Sequence, residues 1–397
     1  MPAGEIAEPV RSLTPLISKA ADDVARVATS YAAQRIDGTA AILNRIAALQ
    51  DTCSTLAFQR LAWLTPLYES LAADLDATPL AVEVTDATTG ELAVLLPLVE
   101  TREGGLEVVS WASLGVSDYG APLLGPKTPA NARDAQAMWA AVKRCLKGCD
   151  LVQLANMPDD INGRPNPFAL LKSRRPSRHA RHALTLPGTV EQFLASRGKK
   201  YRKEAERCGR LLAEKGTPEF RRAETEPEIS QAYAALQTQQ HERHAARGSD
   251  YRLDQAAYAR FFATALRDGT PLATAHIFTL KAGGDIGAVL YGISHGSTFT
   301  LLRISTGGES WKRVSPGRLI VLDAMRYFLE RGISTFDMGI GDYDFKQGFG
   351  IASEPLVDVV AALSLRGAPT VALARTKARA RQYPGLVEAA KRVLGRT

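Results

Sequence analysis

Residues 315–346 of this 397-residue chain read SPGRLIVLDAMRYFLERGISTFDMGIGDYDFK, and they combine a helical pattern with a strand pattern. Apolar residues recur at helical spacing over 319–329, and a glycine follows where the helix would end. Ser315 is a good helix cap, and Pro316 suits the first helical position because it has no N–H to leave unpaired. The apolar residues of 333–340 then predict a strand. We therefore predict a helix that leads directly into a strand of a sheet.

The loop that opens this predicted helix contains Gly317 and is followed by Arg318. The first amides of a helix have no acceptor in their own helix, and the helix dipole adds partial positive charge there. Such an end can hold a phosphate group. An ordinary capped helix packed on a sheet is the alternative, and the surrounding sequence has to decide between the two.

The composition is that of a soluble globular protein with room for two or three domains, since 45% of its residues are hydrophobic and 23% are charged. Its 49 basic and 42 acidic residues give a net charge of +7, which favours an anionic partner without requiring a nucleic acid. The four cysteines form no C-x-x-C pair, which predicts reduced, structural thiols. No apolar run would span a bilayer, and the N-terminus lacks a secretory signal pattern. We therefore predict a cytoplasmic protein.

The same order of elements occurs twice along the chain. Residues 41–155 predict a helical block, three strands joined by short turns, a helix and a strand. Residues 227–340 predict the same order, with the helix after Ser315 as the last helix. Between them lie a basic stretch over 156–186, predicted to be irregular, and a basic helix over 189–214. The repeat is one of element order and not of residues, so it suggests a duplication.

Helix, three-strand meander, helix and strand is the order of the GNAT acyltransferase fold. The chain resembles the BcsL/CelD-like GNAT family, whose members carry two tandem GNAT units related to the Fem peptidyltransferases. The resemblance rests on Ser315-Pro316-Gly317 and on FDMGIGD at 336–342, with Lys346 after it. Tyr343 and Phe345 depart from the family pattern, which usually has Glu and Tyr at these places. Weaker similarities lie at 95–98, at Ser117-Asp118-Tyr119 and along 199–210.

This resemblance implies an α/β fold of two tandem GNAT-like units, each a mixed, largely antiparallel sheet flanked by helices. We divide the chain into a flexible N-terminal tail (1–40), an N-terminal GNAT-like unit (41–185), a C-terminal GNAT unit (186–366) and C-terminal basic helices (367–397). The N-terminal unit has no Ser-Pro-Gly at its corresponding helix. We therefore expect it to bind no CoA and to shape the acceptor side of the cleft.

The resemblance also implies a co-substrate, acetyl-CoA or another acyl-CoA, and no metal. Its pyrophosphate is expected at the helix end formed by Ser315, Gly317 and Arg318. The pantetheine arm is expected along the preceding strand, where two neighbouring strands splay apart. A backbone N–H of Ile304 or Ser305 is expected to face the thioester oxygen.

The catalytic candidates follow the strand over 336–340. Asp342 is a candidate base, or a residue that holds the loop by hydrogen bonds. Tyr343 is a candidate proton donor to the leaving thiolate, with a packed surface tyrosine as the alternative. Lys346 is expected to neutralise charge on the acyl oxygen or to bind an anionic acceptor, with a solvated lysine as the alternative. Within the strand, Asp337 is expected to have a buried structural role.

Three functions remain open at this point. The first is an acyl-CoA-dependent N- or O-acyltransferase, acting on an amino sugar, a polysaccharide precursor or a similar polar acceptor by direct attack on the thioester. The second is a Fem-like transferase that takes an aminoacyl group from charged tRNA. The basic helix over 197–210 favours it, and the lack of a long coiled-coil arm counts against it. The third is a non-catalytic GNAT scaffold in polysaccharide assembly, which the departures at Tyr343 and Phe345 keep open.

Overall fold

The computed structural model describes residues 29–267, 273–341, 346, 348–351 and 353–381. These residues form one 13-stranded mixed sheet, with helices packed on both of its faces and a small separate hairpin. The predicted α/β class, with a mixed and largely antiparallel sheet flanked by helices, is confirmed.

The first half of the described chain runs from residue 29 to residue 185. Its strands are β1 (Tyr31–Asp37), β2 (Thr78–Asp86), β3 (Leu92–Glu103), β4 (Leu106–Trp111), β5 (Leu123–Leu124), β6 (Leu151–Met157), β7 (Asp160–Ile161), β8 (Arg164–Pro165) and β9 (Arg174–Thr185). Its helices are α1 (Thr39–Leu49), α2 (Leu61–Pro66, continued by the π-helical turn Leu67–Leu71 and by Ala72–Asp74) and α3 (Ala132–Cys145).

The second half follows from residue 186. Its strands are β10 (Pro218–Arg222), β11 (Ala273–Ala282), β12 (Asp285–His295), β13 (Thr298–Thr306), β14 (Thr335–Ile340) and β15 (Glu354–Ala362). Its helices are α4 (Val190–Ser196), α5 (Gly198–Glu214), α6 (Glu226–Ala245), α7 (Ala256–Arg267), α8 (Pro316–Leu329) and α9 (Ala368–Arg381).

Two parallel pairs interrupt an otherwise antiparallel sheet. The strand order is β1-β2-β3-β4-β6-β15-β9-β14-β13-β12-β11-β10, with β5 paired to β3. Strand β4 runs parallel to β6, and β13 runs parallel to β14. A crossover helix connects each parallel pair, α3 in the first half and α8 in the second. The repeated order of elements that the sequence predicts is therefore present in the fold.

Strands β9 and β15 join the two halves into one sheet. The last strand, β15, pairs with β6 of the first half and with β9, and β9 pairs on its other edge with β14. The prediction that 156–186 is irregular is wrong for residues 174–185, which form β9 in the middle of the sheet. Its alternating basic residues did not indicate a strand because its pairing partners follow only after residue 334.

The predicted flexible tail over 1–40 is wrong for residues 31–37, which form β1 at the edge of the sheet. This strand pairs antiparallel with β2 along its whole length, and Tyr31 is buried. Arg35 forms an ion pair with Glu100 of β3 at 3.0 Å. An alanine-rich segment of mixed charge has little intrinsic strand propensity, so pairing with β2 decides its conformation. Residues 1–28 lie outside the described part of the chain.

One hydrophobic core extends under both halves of the sheet. Trp63 of α2 contacts Phe261 of α7 edge to face, with ring centroids 4.8 Å apart. Successive residues of β3 alternate between this core and a second core on the opposite face, under α3. A third core lies under α8. The shared core fixes the first half against the second, which matters for any site built from both.

Among the helices of the described residues, none has the length and apolar character needed to cross a membrane.

Candidate active site

Strands β13 and β14 separate after three paired residues. They pair in parallel only over 298–300, although β13 continues to Thr306 and β14 to Ile340. Gly339 has a φ of 71°, in the region that glycine adopts readily, and it bends β14 at this point. The carboxylate of Asp118 accepts a hydrogen bond from the amide of Ile340 at 3.0 Å. The result is an open wedge between the two strands.

The register of β13 shows which peptide groups face this wedge. The amide of Gly307 donates to the carbonyl of Gly287 at 2.8 Å. Because hydrogen-bonded positions alternate along an antiparallel pair, Ser305 and Val289 form the next hydrogen-bonded pair. The peptide group of Ile304 lies between these positions and faces the wedge. Of the two amides predicted to face the thioester, that of Ile304 is on the open edge, whereas that of Ser305 faces β12.

The turn that opens α8 lines a cleft of about 400 Å³ at the open end of the wedge. Ser315 has a φ of 51° and a ψ of 54°, a left-handed conformation that costs energy for a residue with a Cβ. Ser315 occupies the predicted N-cap position, but its side chain makes no capping hydrogen bond. The amide of Arg318 bonds to the Ser315 carbonyl at 3.0 Å, whereas Gly317 has no acceptor in its own helix. The first turn of α8 carries no acidic residue.

Arg318 lies in the wall of the same cleft, where the sequence predicts it. Its guanidinium lies 5.1 Å from the ring centroid of Tyr201 and 3.7 Å from the carboxylate of Glu204. Both neighbours come from α5, which therefore holds this arginine against the start of α8.

A second cleft, of about 330 Å³, continues from the first along the wedge. The two are continuous because Arg243 of α6 and Ile304 of β13 line both of them. Asp118 also lines the second cleft, and it comes from the first half of the chain. The second half of the chain therefore supplies the start of α8 and both strands of the wedge, and the first half supplies the carboxyl group of Asp118.

Burial raises the pKa of Asp118 to about 7. The hydrogen bond from the Ile340 amide opposes this shift by stabilising the carboxylate. The neighbouring Asp337 carboxylate raises the pKa further, while the Lys346 ammonium lowers it. A carboxyl group with a pKa near 7 can accept a proton at neutral pH, which is what a general base requires.

The sequence did not identify Asp118 as a catalytic candidate. Ser117-Asp118-Tyr119 carries only a weak family similarity, and the residues that this loop contacts follow about 220 positions later in the chain. The one local feature in the sequence is an Asp-Tyr pair in a loop directly after a meander strand. Such a pair does not indicate which distant residues it contacts in the fold.

The catalytic residues that the sequence predicts lie at the end of β14. Asp342 and Tyr343 are outside the described residues, so their roles remain predictions. Lys346 is buried, and its ammonium group donates to the carbonyls of Gly339 at 3.1 Å and Ile340 at 2.8 Å. It also lines the second cleft. This burial excludes the alternative of a solvated lysine. Lys346 instead fixes the bend of β14 beside Asp118.

Asp337 connects the two halves below the wedge, and its predicted buried structural role is confirmed. One carboxylate oxygen accepts hydrogen bonds from the Tyr119 hydroxyl and the Gly339 amide, both at 2.8 Å. The other accepts from Arg181 Nε of β9 at 2.7 Å. Because both carboxylate oxygens accept hydrogen bonds from these donors, Asp337 holds the loop of Asp118 against β14.

Asp337→Ala is expected to lower the free energy of unfolding by about 2–4 kcal/mol, since the buried Tyr119 hydroxyl loses its partner and Arg181 keeps only the exposed Glu354, at 3.5 Å. Urea denaturation at pH 7.5 measures this. Arg102→Ala removes an exposed ion pair with Glu107 and serves as a control, with an expected change below about 1 kcal/mol. Equal stability of the two variants would contradict the structural role of Asp337.

The sequence of the second half can now be compared with known families. Residues 199–347 match the family model of the acetyltransferase (GNAT) domain, Acetyltransf_6. The match contains α8, β13 and β14, and hence the whole wedge with its phosphate-suited turn. Residues 199–347 are thus similar to a GNAT acetyltransferase domain, over less than half of the chain. The prediction that the protein is an acyltransferase enzyme is confirmed, whereas the narrower BcsL/CelD-like assignment remains a prediction.

Solved structures share the overall fold over most of the chain. FemX has a TM-score of 0.57 and 13% sequence identity, with 86% of this chain and 99% of FemX covered. A conserved protein of unknown function from Bacteroides thetaiotaomicron has a TM-score of 0.51 and 13% identity, with 83% and 99% covered. At these identities the similarity concerns the fold alone. No curated protein matches the chain by sequence.

Proposed function

We propose that this GNAT domain uses an acyl-CoA, acetyl-CoA in the simplest case, and transfers the acyl group to an amine or hydroxyl of a polar acceptor such as an amino sugar or a polysaccharide precursor. The observation that carries the proposal is the open wedge, which leads from the acid-free helix end at Gly317 to the carboxyl group of Asp118. An extended co-substrate with phosphates at one end and a reactive thioester at the other fits such a wedge.

Each part of the wedge has a role in this reaction. The amides at Gly317 and the guanidinium of Arg318 bind the pyrophosphate. The amide of Ile304, on the open edge of β13, stabilises negative charge on the thioester oxygen. The lone pair of the acceptor forms a bond to the carbonyl carbon, and the carbon–sulfur bond breaks. Asp118 takes the proton of the acceptor, and the thiolate takes up a proton, from Tyr343 in our prediction, to leave as free thiol.

The first half has a helix in the corresponding place, but its N-terminus differs from that of α8. Helix α3 begins at Asn131, whose side chain accepts the amide hydrogen of Asp134 at 3.0 Å. The Asp134 carboxylate also lies in the first turn and would repel a phosphate. These features support the expectation that only the second half binds CoA and that the first half shapes the acceptor side.

A Fem-like transfer from aminoacyl-tRNA is the second candidate, and one observation favours it. Helix α5 presents a basic face to solvent, formed by Lys199, Lys200, Arg202, Lys203 and Arg210. Arg202 is partly neutralised by Glu206, at 3.8 Å, and the other four are open to a phosphate backbone. This face lies on the outside of the helix, whereas the wedge is framed by the strands and α8.

Calorimetric titration with acetyl-CoA and, separately, with deacylated tRNA distinguishes the two candidates. We expect acetyl-CoA to bind at one site with a dissociation constant in the range of about 1 μM to 1 mM that is usual for enzyme substrates. No heat of binding for acetyl-CoA at millimolar concentrations would overturn the proposal. Binding of tRNA without binding of acetyl-CoA would favour the Fem-like alternative.

A further inference from the structure

The second cleft, on the acceptor side of the wedge, carries a pair of arginines that nothing in the described structure neutralises. Arg243 and Arg247 are both exposed and both line this cleft, and neither forms an ion pair with a described residue. Arg243 lies in the last turn of α6, and Arg247 lies in the turn that directly follows the helix. Two free guanidinium groups at the mouth of a cleft are a site for an anion.

The rest of the cleft keeps this site positive. Arg303 of β13 is buried in its wall, where Gln240 Oε1 accepts from its Nε at 3.0 Å and the Tyr233 hydroxyl accepts from its Nη1 at 3.0 Å. Lys346 is buried on the opposite strand, close to Asp118. Among the lining residues that the structure describes, Asp118 is the single carboxyl group.

The last part of α6, which carries Arg243 and leads into Arg247, is fixed on the wedge. The side chain of Gln240 bridges Arg303 and the Ile304 carbonyl, to which its Nε2 donates at 3.4 Å. Gln239, one residue earlier, accepts a hydrogen bond from the Ser305 hydroxyl at 2.7 Å. Gln240 lies three positions before Arg243, about one turn of helix, so Arg243 has a defined place relative to the reacting end of the wedge. Arg247 follows directly in the turn after the helix, where its amide donates to the His244 carbonyl at 3.0 Å.

From this distribution of charge we infer that the acceptor is an anion, and that Arg243 and Arg247 bind a phosphate group on it while its amine or hydroxyl lies at Asp118. This inference rests on the proposed acyl transfer and names the class of acceptor: a phosphorylated amine or alcohol. The separation of roles follows from charge, since a base that must receive a proton cannot also hold an anionic group. The cationic side of the cleft holds the phosphate, and the Asp118 side holds the nucleophile.

Arg247 is the residue that tests the inference, because Arg243 lines both clefts and would also affect CoA. The probe is inorganic phosphate, titrated calorimetrically at pH 7.5 into the protein saturated with CoA, so that the turn at Gly317 is already occupied. Sodium chloride of equal ionic strength corrects for screening. Arg144→Gln, at an exposed arginine in the last turn of α3 and outside both clefts, is the matched control for Arg247→Gln.

We expect one phosphate site, weakened by about 10-fold or more in Arg247→Gln because a charge-assisted contact is lost, and unchanged in Arg144→Gln. Absence of phosphate binding at about 20 mM, roughly twenty times a millimolar dissociation constant, or equal binding by both variants would overturn the inference. Both variants must keep the wild-type affinity for CoA, since Arg247 does not line the CoA cleft.

The same experiment separates this inference from the proposed function. If CoA does not bind, the acyl-CoA proposal fails, and the phosphate titration is repeated on Gly317→Asp, whose first cleft is closed to anions. Phosphate binding that still depends on Arg247 then upholds the anionic site by itself. Phosphate binding that disappears in Gly317→Asp shows that the anion binds only at the α8 turn, and this result contradicts the inference.

Discussion

Asp118→Asn is expected to lower kcat by about 10²–10³-fold, the usual contribution of a general base. The wild-type rate should fall as the pH drops below about 7, because burial raises the pKa of Asp118 to about 7 and a protonated carboxyl cannot accept the proton of the acceptor. In the variant this acidic limb should disappear. Thiol release from acetyl-CoA, followed from pH 5.5 to 9, measures both effects.

The same variant is expected to be more stable than the wild type at pH 8, by about 1–3 kcal/mol. The folded protein binds a proton at Asp118 more tightly than the unfolded chain, whose aspartate has the model value of 3.8. The contribution of Asp118 to stability is therefore fully present below pH 4 and is lost as the pH rises to about 7. Above pH 7 the buried carboxylate destabilises the fold, and asparagine removes this charge while still accepting the Ile340 hydrogen bond.

Asp323→Asn is the matched control for this prediction. Asp323 is a half-buried carboxyl on α8 whose pKa is also raised by burial, but it lines neither cleft. Its substitution should leave kcat and the pH profile unchanged. If Asp118→Asn kept the acidic limb near pH 7, or lost no more activity than Asp323→Asn, Asp118 would not be the base. Asp342 would then be the candidate to test.

Gly317→Asp is expected to weaken CoA binding by about 100-fold or more, since it places a negative charge where the pyrophosphate is proposed to bind. A Cβ at this position would stand 3.8 Å from Ile304 Cδ1 and 3.1 Å from the Thr306 methyl group, so that only this methyl group has to move, by a few tenths of an ångström. An aspartate in the first turn of a helix is favourable for the helix dipole. The melting temperature should therefore stay within a few degrees of the wild type, so that lost binding cannot be ascribed to unfolding.

Gly209→Asp provides the control for charge and for the loss of a glycine. Gly209 is also helical, and no atom lies within 4 Å of the place where its Cβ would stand. Calorimetry with CoA should give the wild-type affinity for this variant. Equal affinity of Gly317→Asp and the wild type would show that the phosphates bind elsewhere.

Much of the local structure could be predicted from the sequence. The helix after Ser315 and the strand before Gly341 follow from apolar spacing and from glycine and proline positions, and the structure has them at Pro316–Leu329 and Thr335–Ile340. The three-strand meanders follow from short turns between strand-like runs. The Ser315 conformation did not follow, because a serine before a proline fits a capped helix as well as it fits a left-handed turn.

The contacts between the two halves could not be predicted. Strand β9 owes its conformation to β14 and β15, and Asp118 owes its raised pKa to burial and to the nearby Asp337 carboxylate. These partners are brought together by the pairing of one sheet across both halves, which no local pattern encodes. The family similarity at residues 117–119 pointed to the right loop without giving its chemistry.

A crystal structure with bound CoA would show whether the wedge between β13 and β14 is the CoA site. We expect the pyrophosphate within hydrogen-bond distance of the Gly317 amide, the pantetheine arm along Ile304 of β13, and the thiol in the wedge on the side of Asp118. CoA bound at the first half, or outside the wedge between β13 and β14, would contradict the account.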